Sequence, residues 1–480
     1  MTLSRAESAA DHDRTVVVGA GLAGLAAALK LAEAGKAVTL LESRRQLGGR
    51  ASSFLDPSTQ ELVDNCQHVS MGCCTNLADF CDRVGISDQI EIHRILYFLD
   101  EQGHVSRMSA APLPAPLHLA PSFLFLRFLR LGQKIQVARG MIALLARSAD
   151  TPGESFLAWL RAKGQQDDTI ERFWGLVLTS ALNESIDRID LHYARQVFVE
   201  GFLARGRAFR VEIPRTPLSE FYGPVLEASL RSRGVDLRTQ TNVARVVFEN
   251  ARVAGVSLRT GETISAKNVI LAVAPHHVAS LIPEENRRQD DRFEGIERLE
   301  SSPITSVHLW YDRPVMTYPH LVVVGRQVQW LFRRPAGNEG YVQAVISASR
   351  DLSARGAEEV LSIVRAETEE LLPLARSATL KHHRVVTERR ATFSVLPGVD
   401  RDRPSSDSST AGLVLAGDYV QTGWPATMEG AVRGGYIAAG SVLGLSPAQS
   451  LVPSLQAEPT VRLLAWLAEY IFPTRKGTLG

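Results

Sequence analysis

The chain has 480 residues, 45% hydrophobic and 22% charged, with 53 Lys and Arg against 52 Asp and Glu, a formal charge of +1. That length supports a large buried core and two or more domains. The charge balance argues against a general nucleic-acid-binding field, and no run of apolar, uncharged residues reaches the length of a membrane-spanning helix. The opening residues are polar and lack an apolar signal core, so residues 1–13 are expected to form a short disordered leader.

The strongest pattern begins at Arg14. The apolar run Val16 to Val18 predicts a buried parallel strand, which Gly19-Ala20-Gly21-Leu22-Ala23-Gly24 turns into an alanine-rich helix. Gly19 permits the tight turn, Gly21 lets the backbone approach a pyrophosphate, and Gly24 lets the helix pack close on the strand. The helix N-terminus then presents unpaired N–H groups to the anion. A second strand, Ala37 to Leu41, ends at Glu42, where a carboxylate can accept hydrogen bonds from an adenosine ribose and disfavour a 2′-phosphate, although Arg44 and Arg45 lie nearby. Strand, glycines, helix, strand and acid in that order form a dinucleotide fingerprint. Gly48-Gly49-Arg50 adds a second backbone cradle and a cation.

After a strand over Ala51 to Phe54 comes the polar block Asp64-Asn65-Cys66-Gln67-His68, ahead of a helix opening near Thr75. His68 is either a hydrogen-bonded structural imidazole or a group facing the bound molecules. Cys66, Cys73, Cys74 and Cys81 lack metal-site spacing; steps of seven and eight place them on one helix face as buried thiols, with no metal and no disulfide expected. Alternation from Ile90 to Ser109 predicts a hairpin turning at Glu101-Gln102-Gly103. The stretch Ala120 to Leu131, mostly Leu and Phe with Arg127 and Arg130, predicts a helix that is either core or a monotopic membrane element.

Helices are expected over Ser155 to Leu160 and Thr169 to Leu182, and Glu171 to Asn183 reads as the wall of a core or of an apolar cavity. A helix to Arg231 follows Pro214-Arg215, with Arg215 at a cavity entrance or in a structural ion pair; two strand fragments lie within Val235 to Val246, and Asn268 to Ala272 is a strand. Short alternating strands at Ile304–Tyr311, Leu321–Val324, Val328–Phe332 and Tyr341–Ser347, then a helix over Ala357–Leu372, suggest an antiparallel sheet with helices. Asp402 to Thr410 reads as a low-complexity loop. The strand ending at Gly417-Asp418 and the small-residue helix after Thr427-Met428 form a second anchor, with the helix dipole aimed at a bound electron-rich group. Val461 to Phe472, followed by Arg475 and Lys476, reads as an interfacial helix or one packed on its own protein.

The motifs VVVGAGLAGLAAA, ESRRQLGGRASSF, VDNCQHVSMGCCTNL, FWGLVLTSALN, PRTPLSEFYGP and LAGDYVQTGWPATMEGAV span nearly the whole chain. They resemble the FAD-dependent amine oxidase and phytoene desaturase superfamily, and within it most closely the hydroxysqualene dehydroxylases. The resemblance implies FAD as cofactor and an α/β fold: a Rossmann-like FAD-binding domain of the GR2 type (14–85, 205–290, 391–447), an α+β substrate domain of mixed sheet and helices (86–204, 291–390) and a tail (448–480). It implies that FAD is held by Gly19, Gly21, Gly24, Glu42, Gly49, Arg50, Val243 through its backbone, Gly417, Asp418, Thr427 and Met428. Trp174, Asn183, Arg215 and Trp424 would line the substrate site. It further implies reductive removal of the hydroxyl from hydroxysqualene, giving squalene for hopanoid or sterol synthesis, with His68 the preferred proton donor ahead of Asp64 or water. The polyprenoid substrate implies peripheral association with the inner face of the cytoplasmic membrane. A phytoene or ζ-carotene desaturase would share the same ending; an amine oxidase would carry Tyr at Thr427; a non-catalytic FAD or lipid carrier is a further alternative.

Overall fold

The computed structural model describes residues 13–146, 152–334 and 339–471, so the expected leader falls outside the described residues except for Asp13, as do Arg475 and Lys476. Five strands build a parallel sheet: β1 (Thr15–Val18), β2 (Val38–Leu41), β3 (Asp236–Arg238), β4 (Asn268–Leu271) and β5 (Leu413–Leu415), in the order β3-β2-β1-β4-β5. β1, β2 and β5 are buried along their whole length. Burial on both faces explains their unbroken apolar runs. Two helices pack together beside the sheet, α1 (Leu22–Glu33) and α5 (Met428–Leu443). Their approach leaves no room for a side chain at Gly435, where a Cβ would sit 2.1 Å from the Ala23 carbonyl oxygen; Gly434 instead lies against the chain just past β5, where a Cβ would sit 2.2 Å from the Gly417 carbonyl oxygen.

A second sheet of seven strands runs 380–393, 301–311, 341–346, 330–333, 320–323, 95–99, 105–109 in spatial order. Its pairs are antiparallel except where 320–323 lies parallel to 95–99. The helix Ala357–Leu371 contributes Val360, Leu361 and Val364 to the apolar core against this sheet. Helical segments between residues 120 and 203 carry an aromatic core in which Phe156, Trp159, Phe173, Trp174 and Phe198 meet edge to face or stacked. The mixed α/β architecture is the one expected.

Two local expectations are corrected. Ala120 to Leu131 is not one helix: α3 (Ala120–Leu124) stops, a turn intervenes, and α4 (Leu131–Leu145) begins afresh. Leu126, Phe128 and Leu129 point into the core while Leu124 and Phe125 face outward, a spacing that no single helix can satisfy. The cysteines do not share a helix face either. Cys66 precedes the short strand Ser70–Met71, Cys74 is the N-cap of α2 (Thr75–Val84), and Cys81 alone of the four lies within that helix. Gly72 forces the interruption, since a Cβ there would lie 2.3 Å from the Arg207 carbonyl oxygen. Among the described residues no helix is long and apolar enough to cross a membrane.

Candidate functional site

The carboxyl ends of β1, β2, β4 and β5 converge, which is where an open parallel sheet takes its ligands. At the end of β1, Gly19 has φ +102° and a Cβ there would lie 2.7 Å from the Ala272 carbonyl oxygen; one on Gly24 would lie 1.9 Å from that of Gly19. Gly21 differs. Its φ is −72°, and a Cβ on it would meet only Gly49 Cα, in ordinary contact at 3.9 Å, so a methyl would fit there without a clash. Gly49, at φ +64°, crosses over it, and Gly48 N–H donates to the Ala20 carbonyl at 2.9 Å. α1 begins without a side-chain cap and with no acid in its first turn. Its leading N–H groups are therefore left for an anion. An unclashed Gly21, a bare helix N-terminus and a facing glycine turn together fit a pyrophosphate.

Glu42 is buried at the end of β2. Its Oε2 accepts from Ala20 N at 2.8 Å and its Oε1 from Arg44 N at 2.8 Å, so the carboxylate ties the glycine turn to the next loop and keeps lone pairs for a ribose hydroxyl. The Glu42 carbonyl accepts from Thr241 N at 2.8 Å, which brings the strand opening at Val243 alongside.

On the other side, Arg50 Nη2 donates to Asp418 Oδ1 at 2.6 Å and Nη1 to the Ala391 carbonyl at 2.7 Å. Burial disfavours the guanidinium charge, but Asp418 more than offsets this and holds Arg50 above its ordinary value. The Arg50 side chain nonetheless keeps 36% of its surface.

The loop from Asp418 to Thr427 is held from behind by Arg403. This fully buried guanidinium donates to the carbonyls of Asp418 at 3.1 Å and Trp424 at 2.9 Å and to Thr422 Oγ1 at 3.1 Å, and it also contacts Val420 O and Tyr193 Oη. Thr427 then caps α5, its Oγ1 accepting from Gly430 N at 3.0 Å. Glu429 turns away from its own helix and caps α2, accepting from Leu77 N at 2.7 Å and Asn76 Nδ2 at 2.9 Å. Burial raises the Glu429 carboxyl above the usual range in spite of these donors. Trp424 is buried against Cys73 and Ala208, with the Arg433 guanidinium 5.4 Å from its ring centre.

The block from Asp64 to His68 keeps partial accessibility although burial dominates its titration, as at Arg50. His68 Nδ1 lies 2.9 Å from the Cys66 carbonyl. A carbonyl only accepts, so Nδ1 carries the proton. Burial, aided by the charge of Arg50, lowers the imidazole pKa, so the ring is neutral near pH 7 and Nε2 is an acceptor. Asp64 is pushed up to about 6 by burial, although its Oδ1 accepts from Ser53 Oγ at 2.6 Å and Leu218 N at 2.9 Å. The imidazole is thus an acceptor at Nε2, and the Asp64 carboxyl stands well above the ordinary aspartate range.

Trp174 and Asn183 are both buried and hydrogen-bonded in the interior. Trp174 is completely buried, donates from Nε1 to Gln165 Oε1 at 2.9 Å, and is packed by Phe156, Phe173 and Phe198. Asn183 ends its helix at φ +53° and pins that end to the large sheet through Ser302 O at 3.1 Å, Thr392 Oγ1 at 2.9 Å and Ala348 N at 2.7 Å. Arg215 is exposed, its backbone N–H donating to Gln89 O at 2.9 Å.

Three residues escaped the sequence reading: Arg403, Glu429 as a cap for another helix, and His276. His276 stands in the first turn of the helix after β4, its ring centre 4.1 Å from that of His277, and burial together with His277, Arg390 and Arg50 lowers it to about 4. Its position just past the carboxyl end of a parallel strand was the available signal.

The family profile described as flavin containing amine oxidoreductase matches residues 22–443. The chain is 25% identical over 457 residues to the 15-cis-phytoene desaturase of Solanum lycopersicum, covering 89% of this chain and 77% of that protein. It is 28% identical over 434 residues to the hydroxysqualene dehydroxylase of Rhodopseudomonas palustris, covering 89% of this chain and 97% of that one. Among solved structures, an oxidoreductase from Methanosarcina mazei superposes with a TM-score of 0.70 at 18% identity, covering 90% of this chain and all of that one. Putrescine oxidase bound to putrescine superposes at 0.66 and 15%, covering 90% and 99%.

Proposed function

The chain belongs to the flavin containing amine oxidoreductases and is an FAD-dependent oxidoreductase, and from that premise we propose that it removes the hydroxyl of hydroxysqualene reductively to give squalene. The reaction is R–OH + H⁺ + H⁻ → R–H + H₂O. FAD, when reduced, supplies the hydride. In this reading the Gly19–Gly24 turn and Gly49 cradle the pyrophosphate, Glu42 and the backbone of Val243 take the adenosine end, and Arg50, Gly417, Asp418, Thr427 and Met428 flank the rest. Residues 14–85, 205–290 and 391–447 form the cofactor domain, and 86–204 with 291–390 the substrate domain.

His68 Nε2 accepts a hydrogen bond from the substrate hydroxyl and fixes its position. Asp64 delivers the proton that lets the oxygen leave as water. The carrying observation is a neutral imidazole and a raised carboxyl four positions apart in the chain, His68 Nδ1 fixed on the Cys66 carbonyl at 2.9 Å and Asp64 Oδ1 on Ser53 Oγ at 2.6 Å. Hydrocarbon desaturation has no leaving oxygen to protonate. End-to-end similarity to two hydroxysqualene dehydroxylases, at 28% and 26% identity over 97% and 99% of their lengths, supports the same reading. Amine oxidation fits poorly, because Thr427, where such enzymes carry Tyr, is spent on capping α5. A C30 hydrocarbon product partitions into lipid, so the enzyme acts peripherally on the inner face of the cytoplasmic membrane.

Polyprenoid desaturation through FAD is the second reading, favoured by the 25% identity to the tomato desaturase. An anaerobic experiment separates the two. Enzyme holding chemically reduced FAD is mixed with hydroxysqualene, and enzyme holding oxidised FAD with phytoene. Flavin reoxidation with squalene formation is expected; phytoene desaturation without dehydroxylation overturns the proposal.

A further inference from the structure

Apolar surface is concentrated on one face of the molecule. α4 exposes Leu131, Ile135 and Ile142, which share one side of the helix, at 70%, 54% and 39%. The turn before it lifts Phe125 to 80% exposure. α6 (Pro459–Ile471) packs on α4 and presents its own outward stripe of Leu463, Trp466 and Tyr470. α6 is firmly docked: Val461 and Ala468 join Leu145 and Ala146 in a small core, and Glu458, just ahead of the helix, accepts from Ala115 N at 2.9 Å. Both helices thus have a satisfied inner face and an apolar outer one, the reverse of an ordinary surface helix.

Charge selects what covers this face. Residues 111–146 contain Arg127, Arg130, Lys134 and Arg139 and no Asp or Glu, in a chain whose total charge is only +1. Arg127, Arg130 and Arg139 are exposed, as are Arg462 and one acid, Glu469, on α6, so among the described residues the face carries four exposed arginines against a single exposed carboxylate. A second copy meeting this face across a two-fold axis would set cation against cation. An anionic membrane surface offers an apolar interior for the stripes and negative headgroups for the rim.

We propose that α4, α6 and the turn carrying Phe125 form one composite docking surface for an anionic phospholipid bilayer, with both helices lying in the plane of its interface. The surface deepens the polyprenoid reading above and rests on it, since the substrate would dissolve in the same bilayer. The basic rim supplies attraction at a distance, and the aromatic and aliphatic stripes supply the buried area.

The test is flotation of the full-length, FAD-loaded protein with vesicles of phosphatidylcholine containing one third phosphatidylglycerol, and with phosphatidylcholine alone. The protein is expected to float with the anionic vesicles and to bind the neutral ones roughly tenfold less. The double variant F125S/W466S should lower partitioning at least about tenfold while keeping the thermal midpoint and flavin content of the parent. Leu374→Ser, which removes an exposed leucine from an unrelated helix, should change nothing. Failure of the parent to float with anionic vesicles overturns the proposal, as does undiminished flotation of the double variant. A dimer in sedimentation velocity that the double variant dissociates, without flotation, assigns the face to a second copy instead. Turnover of detergent-dispersed hydroxysqualene by the parent is measured separately: squalene formation without flotation defeats the docking surface alone, and flotation without squalene formation defeats the substrate assignment alone.

Discussion

Gly21→Ala separates binding of the cofactor from folding of its cradle. At this position φ is −72°, which any residue adopts, and the added methyl meets nothing nearer than Gly49 Cα at 3.9 Å. The apo fold should therefore change in stability by no more than about 0.5 kcal/mol. The same methyl occupies the space through which a pyrophosphate oxygen reaches the leading N–H groups of α1. Losing two hydrogen bonds to a charged group, at roughly 1.5–3 kcal/mol each, removes about 3–6 kcal/mol and weakens FAD by about 10²- to 10⁴-fold. Gly24→Ala is the contrasting change, because its Cβ would lie 1.9 Å from the Gly19 carbonyl oxygen and must spring the turn apart. The assay is FAD titration of deflavinated protein by fluorescence quenching, paired with thermal melting of the apoprotein by circular dichroism. Undiminished FAD affinity in Gly21→Ala, or an apo midpoint lowered as far as in Gly24→Ala, would refute the reasoning.

Arg403→Met leaves the carbonyls of Asp418 and Trp424 and the hydroxyl of Thr422 without their buried donor. A loss of about 3–5 kcal/mol is expected, read from urea midpoints together with flavin release; a loss below about 1 kcal/mol contradicts the assigned role. Asp64 gives a pH signature. Burial raises its carboxyl from the ordinary 3.8 to about 6 in the fold, so folding favours the protonated form; this contribution is complete below pH 4 and is lost as pH rises through 6. Asp64→Asn should abolish that slope, worth at most about 3 kcal/mol between pH 4 and 7.5, as measured by denaturation at both pH values. If Asp64 is the proton source, the same variant loses roughly 10²- to 10⁴-fold in dehydroxylation rate.

The cofactor end of the site was legible because its constraints are local. Gly19, Gly21 and Gly24 act within one turn, and Glu42 follows from where β2 ends. The start of the small-residue helix after Thr427 was legible for the same reason, and Thr427 indeed caps it. The packing of Trp174 and Asn183 was not legible because an apolar, uncharged segment looks alike whether it faces a tunnel or a core; their partners, Gln165 for one and Thr392 on the edge of a sheet for the other, appear only in the fold. The break at Phe125 was hidden because Leu and Phe occupy both the inward and the outward positions, so hydrophobicity carried no period. Arg403 left no trace in pattern at all. A single arginine in a polar loop acquires its role from carbonyls 15 to 21 residues downstream that turn towards it only in the folded chain.

The link from Arg50 to Asp418 joins residues 368 positions apart, and Arg50 also grips Ala391. β5, at the far end of the sequence, is the edge strand that completes the parallel sheet. A ribosome has therefore released most of the polypeptide before either half of the cradle can meet the other. Nascent chains shorter than about 430 residues lack the start of α5 and with it the helix that seals α1. Flavin uptake is then a late event in biogenesis, one that waits on the synthesis of α5.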